Sequence, residues 1–352
     1  MRQATSGPVG AMRTPVHSYI INLLTPMCEF QRKVLTLPRI DPAEGENLEY
    51  FYKGVCVSKG VPKEVLIDLE TFEVRNDDIF LITYPKSGTT WMQQMISLII
   101  NGCDAEEHKN LHVFFRFPFL ENIWVSHHSQ IGLIPPTHTL LNKMPRDKPR
   151  LIKTHLQPNL LPKQMFEKTP KVVYVARNPK DVAVSYYYMH QFDTSLQTYA
   201  SWDKFIERFL NKSVLGGDWF QHNLFWWNRR QDPNVLFIKY EDMQKDQRSA
   251  VQMTANFLGR TLTTDMLDRI DDLCRFQNMK RDPAVNPDLV LQFRGEDKDS
   301  MSSPDLPTDS SFMRKGQVGD WKNHLTVSQN ETFDAIYHKE VHGTNLKFDF
   351  EL

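Results

Sequence analysis

Apolar residues in this chain follow two rhythms. Ile79-Phe-Leu-Ile-Thr83, Val172-Val-Tyr-Val-Ala176 and Val235-Leu-Phe-Ile238 are short, nearly continuous apolar runs, and Leu151-Ile152 opens a fourth that carries Lys153 and His155. Runs of this length without polar alternation predict strands covered on both faces. Between them the spacing turns helical: Trp91, Met92, Met95, Ile96 and Ile99 predict one face of a helix. Asn178 and Pro179 predict another helix start, with asparagine as cap and proline in the first turn. Strands alternating with helices predict βαβ units, hence an α/β fold with a parallel β-sheet flanked by helices. Ligands of such sheets sit beyond the carboxyl ends of the strands, where this chain places its polar motifs.

Two stretches break the rhythm. Residues 1–45 predict an irregular N-terminal extension. Residues 286–311 hold Pro287, Pro304 and Pro307 among many Ser, Asp and Glu residues, and predict a long loop, either a lid or a disordered insertion. Residues 46–352 then read as a single domain.

Composition narrows the function classes. With 40% hydrophobic and 24% charged residues, the chain can bury a core. Lys and Arg total 42 against 43 Asp and Glu, which argues against bulk capture of nucleic acid but leaves room for a local basic pocket. Cys28, Cys56, Cys103 and Cys274 lie far apart with no CxxC, so neither a disulfide framework nor a cysteine-based zinc site is expected. A reducing, cytoplasmic setting follows. The run from Tyr19 to Leu24 is far shorter than the roughly 18 apolar residues of a membrane span. Pro8, Pro15 and Pro26 interrupt any signal-peptide layout. Residues 1–28 lack Asp and Glu and carry Arg2 and Arg13, which is compatible with a transit peptide, although a plain extension is the simpler reading.

Four motifs carry chemistry. In Tyr84-Pro-Lys-Ser-Gly-Thr-Thr-Trp91 a strand ends, a loop holds Gly88, and a helix begins with free backbone N–H groups. That arrangement binds phosphate; Lys86 adds a point charge, and Thr89 and Thr90 add hydroxyls. The lysine precedes the glycine, so this is not the GxxxxGK[ST] loop of ATP-binding proteins. Lys153 and His155, two apart on a strand, project together; a near-neutral histidine takes protons from hydroxyls and a cation stabilises developing negative charge. Arg177 at a strand end and Ser185 about two turns into the next helix can grip a second phosphate. Arg314-Lys-Gly316 sets two cations beside a glycine that lets backbone approach a ligand. Two anion sites suggest a nucleotide phosphorylated at two positions.

Taken together in this order, these motifs make the chain resemble the cytosolic sulfotransferase family from about residue 47 onward. The resemblance rests on Tyr84–Trp91, Lys153-Thr-His155, Arg177-Asn-Pro-Lys-Asp181, Ser185-Tyr-Tyr187, Tyr240-Glu-Asp-Met243, Arg314-Lys-Gly316 and Gly319-Asp-Trp-Lys322, in family order. It implies metal-free transfer of a sulfuryl group from 3′-phosphoadenosine 5′-phosphosulfate (PAPS) to a hydroxyl or amine of a small, largely apolar acceptor such as a phenol, steroid or alcohol, leaving 3′,5′-adenosine bisphosphate (PAP). It further implies a P-loop-like phosphosulfate loop of Lys86, Ser87, Gly88, Thr89 and Thr90. A 3′-phosphate site would comprise Arg177, Ser185, Arg314, Lys315 and Gly316, and an adenine site Trp91, Phe276 and Tyr240. His155 would be the general base, with Lys86 and Lys153 stabilising charge. Phe119, Lys153 and His155 would face the acceptor. Asp193 would join them if the helix after Ser185 reaches two more turns, favouring cationic phenols. Lys322, Thr326, Val327 and Glu331 match the family's dimer motif and imply a homodimer. No nucleic-acid or membrane partner is implied. Cys274-Arg-Phe276 stands where the family has Thr-Ser-Phe, and the 286–311 loop is about ten residues long beyond the family norm, in the range of lids and disorder. A nucleotide kinase with an aberrant phosphate loop, or a nucleotide binder without turnover, are the competing readings.

Overall fold

Glu49–Tyr52 (β1) and Val55–Ser58 (β2) form an antiparallel hairpin turned at Lys53 and Gly54, both at positive φ. The four apolar runs follow as Ile79–Thr83 (β3), Leu151–Thr154 (β4), Lys171–Ala176 (β5) and Val235–Lys239 (β6). They pair in parallel in the order β4-β3-β5-β6. The computed structural model describes residues 47–104, 111–122, 136–193, 195–292 and 311–352. The expected extension at 1–45 and most of the 286–311 loop lie outside them. The described start of that loop differs from expectation: Pro287–Gln292 is helical, with Pro287 in the first turn, where its missing N–H costs nothing.

Alternation along the strands divides two cores. Phe80 and Ile82 of β3 and Val172, Tyr174 and Ala176 of β5 belong to one apolar cluster. Ile79 and Leu81 of β3 and Val173 and Val175 of β5 belong to the other. Every residue of β3 is buried, as expected for a parallel strand covered on both faces.

Three helices position the polar motifs. Thr89–Asn101 (α1) follows β3 and buries Met92, Met95, Ile96 and Ile99 as the spacing predicts, with Trp91 half-buried. It also buries Gln93, Gln94 and Ser97, because the segment after Leu111 covers that side: Arg116 bonds Ser97 Oγ and Gln94 Oε1, and Gln93 bonds the Phe117 carbonyl. Pro179–Phe192 (α2) follows β5, with Asn178 Oδ1 accepting from the Asp181 N–H at 2.9 Å. Val327–Val341 (α3) is capped by Thr326 and Gln329, each side chain accepting from the other's backbone N–H. The chain crosses from β4 over β3 to β5, so the strand order reverses at β3. The carboxyl ends of β3 and β5 therefore border the crevice where such sheets bind ligands.

Candidate active site

The loop leaving β3 is backbone-driven. Lys86 takes φ of 67° and Gly88 φ of 101°, left-handed values that cost a lysine of order 1–3 kcal/mol. The second is open only to glycine for a further reason: a Cβ on Gly88 would lie 2.7 Å from Tyr240 Cδ2. Gly88 so brings the N-terminus of α1 against Tyr240 at the start of the helix Tyr240–Lys245. Lys86 Nζ reaches the Phe312 carbonyl at 3.4 Å and lies 4.6 Å from that ring's centre. Burial, with Arg177 beside it, lowers the Lys86 ammonium to about 8.

Arg177, the residue after β5, spans the crevice. It donates to the Lys86 carbonyl at 3.2 Å and the Gln317 carbonyl at 2.8 Å, and stacks 4.3 Å over Tyr240. Arg314 lies 4.4 Å over the ring of Tyr188, three residues beyond Ser185 on α2. The structure thus brings Arg314 onto α2 one turn past Ser185, and Arg177 to Gln317 on the same C-terminal segment. Asp320 holds both cations of the Arg314-Lys315 pair, at 2.6 and 2.7 Å. Asp181 on α2 accepts from the Gly319 and Trp321 N–H groups at 2.8 and 3.0 Å, stapling the C-terminal segment to α2. Neither carboxylate was foreseen in a site role. Asp181 sits inside a motif that was singled out for Arg177, Asn178 and Pro179.

Trp91 meets the edge of Tyr240 at 5.4 Å. Trp91 and Phe276 pack on one small cluster of Met279, Val285 and Met313. The Phe276 ring covers Gly316, where a Cβ would sit 2.3 Å from it. Gln244 ties Tyr240 Oη and the Gly316 carbonyl together at 3.1 and 3.0 Å.

His155 stands one residue past β4. Its Nδ1 lies 2.8 Å from the Thr83 carbonyl and 3.0 Å from Thr83 Oγ1. A carbonyl only accepts, so Nδ1 carries the proton and Nε2 keeps its lone pair. Burial, then the nearby Lys153 charge, pushes the imidazole well below its usual range, so it is neutral at pH 7. Phe119 joins the predicted pair: its ring lies 5.0 Å from the imidazole centre and 4.2 Å from Lys153 Nζ. Burial lowers the Lys153 ammonium to about 8.

Asp193 lies at the end of the helix that carries Ser185. Helix α2 ends at Phe192, so Asp193 is its C-cap, and its Oδ1 accepts from Ser195 N and Oγ at 2.9 and 2.6 Å. The carboxylate binds the turn that ends the helix, and its charge also acts on the Lys86 ammonium, raising it. Lys322 pairs with Glu351 at 2.6 Å, Thr326 caps α3, Glu331 is exposed, and Val327 is 77% exposed.

A doubly phosphorylated nucleotide fits these residues. Ser87 Oγ, Trp91 Nε1 and Arg177 Nε are buried without a hydrogen-bond partner, a state costing about 1–3 kcal/mol each unless a ligand satisfies it. All three border the loop–Arg177–Tyr240 wall. Among the described residues no helix is long and apolar enough to cross a membrane.

Residues 76–345 match the family model for the sulfotransferase domain. Sulfotransferase 1E1 of Bos taurus is 40% identical over 285 residues, 80% of this chain and 89% of that protein. Sulfotransferase 1C2 of Homo sapiens is 38% identical, covering 81% and 90%. Among solved structures, mouse sulfotransferase SULT7A1 complexed with PAP aligns at TM-score 0.64 and 30% identity, over 84% of this chain and 95% of that one. Retinol dehydratase in complex with androsterone and PAP aligns at 0.72 and 26%, over 85% and 90%.

Proposed function

The chain belongs to the sulfotransferase family, and on that premise we propose that it moves the sulfuryl group of PAPS to the hydroxyl of a small, largely apolar acceptor with His155 as general base. It is a PAPS-dependent enzyme. When bound, PAPS supplies an activated sulfuryl group. Lys86, Ser87, Gly88, Thr89 and Thr90 would hold its 5′ end; Arg177, Ser185, Arg314, Lys315 and Gly316 its 3′-phosphate; Trp91, Phe276 and Tyr240 its adenine.

The observation that carries the base assignment is the bond from His155 Nδ1 to the Thr83 carbonyl. It leaves Nε2 as the acceptor for the substrate proton, and the depressed imidazole keeps that lone pair free at neutral pH. Lys153 and Lys86 remain mostly charged at pH 7, since both titrate near 8, and stabilise negative charge on the reacting oxygens. Phe119 orients an aromatic or apolar acceptor against the imidazole. The androsterone-bound retinol dehydratase supports an apolar acceptor by likeness. The test is a labelled-sulfate transfer screen over phenols, steroids, alcohols and arylamines, with His155→Ala as control. General-base catalysis supplies about 10²–10⁴-fold, so the variant loses at least 100-fold in kcat by that measure while still binding PAP. Turnover within a few-fold of wild type removes His155 from the role.

The dimer is proposed through Lys322, Thr326, Val327 and Glu331, with the exposed Val327 the apolar residue it would cover. Val327→Glu converts it to a monomer in light scattering; a wild-type monomer at micromolar concentration overturns it.

A further inference from the structure

Pro118–Asn122 runs beside β4 and carries Phe119, whose ring lies against His155 and Lys153. It pairs with the strand as a short parallel addition: Lys153 N–H donates to the Pro118 carbonyl and Leu120 N–H to the Lys153 carbonyl, each at 2.8 Å. The next acceptor in that ladder is not a carbonyl. Glu121 supplies it with its side chain, Oε1 accepting from the His155 N–H at 2.7 Å. Glu121 is 4% exposed, and its Oε2 has no hydrogen-bond partner.

A carboxylate is a costly way to satisfy one N–H. Burying it in an apolar setting is unfavourable unless its charge is used. A glutamine or a backbone carbonyl would make the same bond without that cost. Burial does push the Glu121 carboxyl up to about 7, even though the His155 N–H, the Thr154 side chain and Lys153 all act to lower it. The counterpart is Lys153, on which burial acts to remove the charge and Glu121 acts to keep it. The other groups facing Lys153 cannot replace Glu121. His112 and His155 are both lowered by burial and by cations including Lys153, and Phe114 and Phe119 offer only ring faces, at 5.1 and 4.2 Å.

We propose that Glu121 is a positioning residue of the transfer reaction: one oxygen fixes the backbone of His155 where the strand ends, and its carboxylate, two residues past the Phe119–Lys153 pairing, acts by its charge on the Lys153 side chain. This deepens the functional reading above and rests on it.

The two roles separate by substitution. Glu121→Gln keeps an oxygen to accept from His155 and removes the charge; Glu121→Ala removes both. Lys153 is titrated by NMR at its side-chain nitrogen, kcat/KM is followed from pH 6 to 10 with a neutral phenol, and PAP affinity is measured by calorimetry. With Glu121→Gln, PAP affinity stays unchanged and kcat at pH 7 stays within a few-fold. Losing a neighbouring negative charge favours the neutral amine, so the Lys153 titration and the alkaline limb both move to lower pH, by about one unit. Glu121→Ala loses at least tenfold in kcat. A Lys153 titration unmoved in Glu121→Gln overturns the proposal, as does wild-type kcat in Glu121→Ala; if the alanine variant does not fold, the glutamine variant decides alone. The NMR titration needs no turnover. A wild type that transfers no sulfuryl group would therefore count against the functional reading, while the coupling of Glu121 to Lys153 would still be decided.

Discussion

In the phosphate loop the whole device lies within a few residues: β3 ends at Thr83, Lys86 and Gly88 take left-handed φ values, and α1 starts at Thr89. The region around Arg177, Ser185 and Arg314 carries more positive charge than the loop's single Lys86 and is assembled from afar, with Asp181 reaching Gly319 across 138 residues of chain. The donors proposed for the loop are backbone N–H groups aimed by local dihedral angles. The donors proposed for the second region are long side chains, and carboxylates hold the Arg314–Lys315 pair and its segment in place. A backbone device should therefore fail through sterics and fail for every ligand. An assembled one should fail by losing a staple, and only toward the phosphate it serves.

Gly88→Ala is the strongest test of that contrast. The new Cβ would lie 2.7 Å from the Tyr240 ring. That ring has no easy retreat, since Arg177 stacks on it, Trp91 meets its edge and Gln244 bonds its hydroxyl. A displacement of about 1 Å at a catalytic centre costs on the order of 100-fold. The expected result is a loss of that size in kcat/KM, with affinity falling equally for nucleotides with and without a 3′-phosphate. A loss confined to the 3′-phosphorylated nucleotide would erase the distinction between the regions.

Asp181→Ala should break the assembled region alone. It leaves the Gly319 and Trp321 N–H groups without their acceptor, and a hydrogen bond to a buried charge is worth about 1.5–3 kcal/mol. At about 2 kcal/mol the affinity for PAP drops roughly 30-fold, while adenosine 5′-phosphate binds nearly as before. Calorimetry with both nucleotides checks this, and equal losses would assign Asp181 to general stability instead.

The same contrast explains what could be read in advance. Strands β3, β5 and β6 appear within a residue of expectation because continuous apolar runs leave little choice of structure. The loop residues and Lys153-His155 were legible because strand, turn and helix are consecutive in sequence. The β1–β2 hairpin was missed: it has four-residue strands and a Lys-Gly turn, too short for a periodic signal. Asp181, Asp320 and Glu121 were missed because a carboxylate's role depends on which distant N–H or cation it meets. How far the helix after Ser185 runs was not legible, because a helix end is set by capping, here the Asp193–Ser195 turn, which the residues Gln191–Ser195 do not announce.

The mildest effect comes from pH. Burial lowers Lys86 and Lys153 to about 8, whereas an exposed lysine keeps its charge past 10. The arginines that mark the assembled region carry delocalised charge at any pH the protein survives. Raising pH through 8 therefore strips charge from the transfer end and not from Arg177 or Arg314. Since kcat/KM reports the free enzyme, its alkaline limb should begin near 8 and fall by pH 9 about tenfold for each of the two lysines on which transfer depends. The acidic limb has the opposite sign: protonated His155 cannot take a proton, and its depressed titration delays that loss to pH values below the usual histidine range. Over pH 7–9 the ratio of PAP to adenosine 5′-phosphate affinity should meanwhile stay nearly flat, because both ligands meet Lys86 and only the first meets the arginines. A ratio that falls in step with kcat/KM would mean that the titrating lysines grip the 3′-phosphate as well, and that the two regions are one.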